Sequence, residues 1–77
     1  MTGQAGLPIT DSDFDLALDQ MLKNDSNFRV LWNNFPESTR QQVREATLKR
    51  TNTFGVGNEV MGYMEENGLL KGYGKRG

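Results

Sequence analysis

Apolar residues recur at three- and four-residue spacing through successive stretches of this chain, and that period commits it to helices. Phe14, Ala17, Leu18, Met21 and Leu22 share one helical face. A start signal stands just before them. Thr10 is placed to cap, Asp13 to reach back as in a capping box, and Ile9 to staple onto Phe14. Asp11, Asp13 and Asp15 suit the positive end of the helix dipole. Asn24-Asp25-Ser26 breaks the pattern.

A second helix is expected over about 27–34, on Phe28, Leu31, Trp32 and Phe35, with Pro36 ending it. It carries the single Trp and is expected to supply the aromatic heart of the core. A third helix over about 39–50 has a Ser38/Gln41 capping box and a thin apolar face of Val43, Ala46 and Leu48. Thr51 to Gly55 read as a loop. A fourth helix over about 56–67 carries the stripe Val56, Val60 and Met64, with Met61 beside it. Gly68 suits the left-handed position past its end, with Leu69 folding back onto Met64 and Leu69-Leu70 continuing as a short strand.

Is there enough apolar material to fold? Eight Leu, one Ile, four Val and four Phe are present in 77 residues with a net charge of −1. That share sits just above the roughly 20% below which disorder is expected. The core is therefore thin, and a partner or self-association into a homo-oligomer would add stability. The expected organisation is a disordered N-terminal segment over 1–8, one helical domain over 9–71, and a flexible tail over 72–77. The fold class is mainly α: a compact bundle of three to four helices.

Composition excludes much chemistry. With no Cys and no His, there is no disulfide framework, zinc site, haem–histidine ligation or thiol and imidazole catalysis. Absence of Cys fits a cytoplasmic setting, and MTGQAGLPITD lacks the basic and apolar regions of a secretory signal. No run approaches a membrane span. Asp11, Asp13 and Asp15 alternate as at the start of a calcium loop, but Leu16 and Leu22 stand where its Gly and Glu belong. Phe54-Gly55-Val56-Gly57-Asn58 lacks the Lys and hydroxyl of a phosphate-binding loop and reads as a tight inter-helix turn. No enzyme and no cofactor are expected.

Charge divides the chain. Residues 1–26 carry five Asp and one Lys, whereas residues 27–77 carry eight basic and five acidic residues. The pattern describes either ordinary solvated helix faces or a polarised molecule with a weakly anion-binding side.

Residues 47–77 carry a resemblance. Leu48, Val56, Val60 and Met64, then Glu65-Glu66-Asn67-Gly68-Leu69-Leu70, then the tail with Gly72, Gly74, Lys75 and Arg76, resemble the second half of a winged helix-turn-helix domain. FGVGNEVMGYMEENGLL is also similar to the corresponding stretch of the gamma domain of FtsK-type DNA translocases. The resemblance implies a winged-helix character at the C-terminus and a DNA-binding transcription regulator. Arg40, Arg44, Lys49, Arg50, Asn58, Lys75 and Arg76 would then meet DNA on one continuous face.

Two features favour a protein partner over DNA. The pI is about 5.2, and Glu59 would stand at the front of the recognition helix, where it repels phosphate. The leading expectation is a small non-enzymatic regulator or inhibitor that binds a protein, a style that would suit a phage or other mobile element. The candidate contact patch is Tyr63 with Gly62, Met61 and Tyr73. Tyr63 lies off the apolar stripe, and Gly62 offers close approach to another backbone.

Overall fold

The computed structural model describes residues 7–71 and Tyr73. In chain order the elements are β1 (Leu7–Pro8), α1 (Asp11–Asn24), α2 (Ser26–Asn34), α3 (Glu37–Leu48), β2 (Thr51–Asn52) and α4 (Val56–Glu66). The mainly α bundle expected from the apolar period is the fold observed. No helix among the described residues is long and apolar enough to cross a membrane.

The helix boundaries follow from local chemistry. The Thr10 hydroxyl accepts from the Asp13 amide at 3.1 Å, and the Asp13 carboxylate accepts from the Thr10 amide at 3.2 Å. This is the expected capping box. Ile9 and Phe14 are both buried, as a staple requires. Asp25 alone separates α1 from α2. Its extended backbone stops the first helix, and its carboxylate accepts from the Phe28 amide at 3.1 Å to start the second.

At the next joint the structure corrects the sequence reading. α3 begins at Glu37 behind Pro36, with no side-chain cap, so Ser38 lies inside the helix and forms no capping box with Gln41. Gln41 reaches Glu45 instead, at 3.4 Å. Proline's fixed backbone supplies the turn into the helix without a capping hydroxyl.

α1 packs against all three other helices, and α3 packs against α4. Their shared core is Ile9, Phe14, Phe28, Trp32, Val43, Val60 and Met64. The aromatic heart is where the spacing placed it. Phe28 stacks on Trp32 at 5.8 Å, and Phe35 meets Trp32 edge-on at 6.0 Å. On the thin face of α3, Thr47 is fully buried beside Val43. Its hydroxyl donates to the Val43 carbonyl at 2.8 Å, so no buried polar atom is stranded there.

Both ends of the bundle differ from expectation. Leu7 and Pro8, expected in a disordered segment, pair antiparallel with Asn52 and Thr51. The loop after α3 supplies the partner strand. Leu69-Leu70, expected as a strand, lie in turns that follow α4. The tail expected over 72–77 lies outside the described residues except for Tyr73.

The end of α4 matches the sequence reading. Gly68 has φ +70°. The Leu69 amide donates to the Met64 carbonyl at 2.8 Å and the Gly68 amide to that of Glu65 at 3.2 Å, the two bonds of a Schellman motif. A Cβ at Gly68 would meet nothing within 4 Å. The expected loss for Gly68→Ala is therefore backbone strain alone, about 1–2 kcal/mol. Urea unfolding of the two proteins measures it.

Candidate functional site

The charged side chains are largely spent within the molecule. Arg44 on α3 meets two carboxylates one turn apart on α1, Asp15 at 2.7 Å and Asp11 at 3.0 Å. Its guanidinium also lies 5.1 Å over the Phe14 ring. Hydrogen bonding to Asp15 leads the causes that raise Arg44 above its ordinary pKa. Asp13 closes the α1 cap, Asp19 pairs with Lys23 at 3.1 Å, and Asp25 caps α2. Every Asp of the acidic first third thus has an internal partner.

Arg50 does the same on α4. It bonds Glu59 at 3.0 Å and Glu66 at 3.3 Å, and Glu66 then Glu59 raise it above its ordinary pKa. The two carboxylates lie two turns apart on one face, with Gly62 between them. A Cβ at Gly62 would stand 3.6 Å from the Arg50 guanidinium. Within the chain, the group that approaches Gly62 is this side chain. At 3.6 Å a methyl fits. Gly62→Ala is expected to stabilise the domain by about 0.5–1 kcal/mol through helix propensity, read as a raised midpoint in thermal melting.

The sequence placed Glu59 at an exposed helix front. It is buried, with only 8% exposure, and faces Arg50. The remaining nucleic-acid candidates stand in different surroundings. Arg40, half-buried, lines a cleft between α1 and α3 with Phe14, Leu18, Trp32 and Arg44. Arg50 turns to α4. Lys49 is the exposed C-cap of α3. Asn58 is exposed and donates to the Phe54 carbonyl. Lys75 and Arg76 lie outside the described residues.

The proposed partner residues also separate. Met61 and Tyr63 are half-buried and pack against the core. Tyr73 belongs to another surface, a cleft of about 280 Å³ along α2 lined by Asn27, Val30, Leu31, Asn34, Lys71 and Tyr73. Val30, at 60% exposure, stands at its edge. This is the one large apolar side chain of α2 outside the Phe28/Leu31/Trp32/Phe35 stripe, and that was its signal in the sequence.

Tyr73 is tied down by its hydroxyl, which donates to the second carboxylate oxygen of Asp25. That bond, then the Phe28 amide, hold Asp25 below its ordinary 3.8, against the opposing effect of burial. The same bond, with burial, raises Tyr73 above its ordinary 10.0. The signs fix a pH window. A depressed carboxylate contributes stability that is present above pH 3.8 and lost as pH falls through its folded value. A raised phenol contributes stability that is present below pH 10.0 and lost as pH rises through its folded value. In urea unfolding across pH, Asp25→Asn is expected to remove this pair's share of the acid-side decline.

Among the described residues no group of three or more His, Cys, Asp or Glu is placed to hold a metal ion. No family model matches the sequence, and no curated protein or solved structure matches it.

Proposed function

We propose that this chain is a small binding protein that regulates or inhibits a protein partner, and that it engages that partner through the α2 cleft. The observation carrying this reading is the cleft itself. An exposed Val30 and a half-buried Leu31 and Tyr73 give the cleft its apolar lining, and Asn27, Asn34 and Lys71 its polar lining. Exposed apolar groups inside a polar rim are the composition of a protein contact, and Tyr is enriched among residues that dominate binding energy. The DNA alternative has less support. Arg44 and Arg50 each already hold two carboxylates, and phosphates would have to displace them.

Two experiments test the reading. Affinity capture from the native host with wild-type and Val30→Lys baits should lose the same partner from the variant, whose mutated side chain is too exposed to disturb the fold. Equal retention by both baits would remove the cleft from the reading. Titration with labelled duplex at two salt concentrations should give no more than non-specific affinity, on the order of 10⁻⁴–10⁻⁶ M. Nanomolar binding that weakens steeply with salt would restore the winged-helix DNA-binding reading.

A further inference from the structure

Seven Asn occur in the chain, and one of them, Asn67, stands directly before a Gly. In that dipeptide an asparagine side chain reacts most readily with its own backbone, because no Cβ shields the nitrogen that follows. The chemistry needs a free Gly68 amide, a free Asn67 carboxamide, and a backbone that brings the nitrogen over Cγ. The C-cap of α4 withholds all three. The Gly68 amide donates to the Glu65 carbonyl at 3.2 Å. The Asn67 Nδ2 donates to the Tyr63 carbonyl at 2.9 Å. Ring closure needs the Gly68 nitrogen eclipsed with the Asn67 Cβ, and at the observed Asn67 ψ of 13° it points well away. Asn67 and Gly68 are both exposed, so solvent reaches the pair as soon as the turn opens.

We propose that Asn67 is a latent deamidation site, that the Schellman turn at Gly68 holds it unreactive, and that its conversion loosens the end of α4. In the reaction the Gly68 nitrogen gives up its proton and forms a bond to the Asn67 Cγ. The Cγ–Nδ2 bond breaks, and the side-chain nitrogen takes up that proton and leaves as ammonia. Water then opens the cyclic imide. Attack at one carbonyl leaves an aspartate, and attack at the other leaves an isoaspartyl link with an extra methylene in the backbone. No atom is oxidised or reduced. Both products suit the cap poorly. The donor to the Tyr63 carbonyl is lost, and a carboxylate stands in its place. The new charge falls at the negative end of the helix dipole, beside Glu65 and Glu66, in a last turn with no basic residue. Arg50 already holds Glu59 and Glu66. An isoaspartyl link also carries the Gly68 amide out of register with the Glu65 carbonyl. The turn gates the reaction, and the reaction weakens the turn. Conversion is therefore an irreversible mark of molecules in which the end of α4 has opened.

The test uses the full chain, incubated in mildly alkaline buffer with and without unfolding guanidinium chloride. Trypsin digestion and tandem mass spectrometry of the peptide that ends at Lys71 then locate any conversion. Conversion at Asn67 should be about tenfold slower in the folded protein, because a helix end opens only part of the time. Equal rates in the two states would overturn the guard, and no conversion in the unfolded chain would overturn the site. Asn67→Asp carries the product's charge without the rearranged backbone. Its midpoint in urea unfolding should lie below that of wild type, and a midpoint equal or higher would overturn the loosening of α4. None of these outcomes depends on the cleft along α2.

Discussion

Trp32→Ala is expected to remove a large share of the domain's stability, because truncating a buried Trp costs about 3–5 kcal/mol. A domain of this size holds only about 4–12 kcal/mol in total. The indole is 7% exposed, stacked on a fully buried Phe28 and met edge-on by Phe35. Its loss would therefore open a cavity lined by two rings, and the surrounding helices could close it only by abandoning their spacing. One edge of the indole reaches the cleft between α1 and α3, so the loss should fall toward the lower end of that range. Trp32→Phe keeps most of the packing volume and should recover much of the difference. Thermal melting followed by circular dichroism of wild type and both variants checks this. A native-like melt for Trp32→Ala would show that the ring contributes little to the core and is free for a partner.

The helices were legible because each rests on signals within a few residues of one another. Thr10 and Asp13, the stripe from Phe14 to Leu22, and Gly68 followed by Leu69 are all local patterns, and each took the predicted form. The Ser38/Gln41 cap was also local but lost to Pro36, whose fixed backbone begins the helix two residues earlier than the hydroxyl would. The unreadable part is long-range. Asp11 and Asp15 look like helix-start charges until α3 is laid beside α1, and only then does Arg44 become their partner. β1 is two residues long and carries Pro, so nothing in its sequence announces pairing with Thr51–Asn52. The surroundings of the candidate surfaces were hidden for the same reason. Gly62 and Tyr63 look available on a helical wheel, but a wheel does not show that Arg50 crosses Gly62 or that Tyr63 leans on the core. Tyr73 stayed a candidate because it reaches a cleft, and its tie to Asp25 had no signal in the sequence at all.

Arg50→Met should destabilise the domain by about 2–4 kcal/mol, far more than loss of an ordinary surface ion pair at about 0–1 kcal/mol. The difference lies in what is left behind. The Glu59 side chain is 10% exposed and the Arg50 side chain 29%, whereas Glu66 is 63% exposed. Without the guanidinium, Glu66 turns to water at little cost. Glu59 cannot, and a buried carboxylate without its cation must either stay charged in a poor environment or take up a proton. Glu59→Met in the Arg50→Met background removes the stranded charge, and the double variant should lie close to wild type or above it, since well-packed apolar replacements of buried pairs are often neutral or stabilising. Urea unfolding of wild type, both single variants and the double variant closes the cycle. If the two single losses simply add in the double variant, Arg50 and Glu59 are independent surface charges. Arg50 is then available to an anionic ligand, and the case against nucleic-acid binding loses its strongest support.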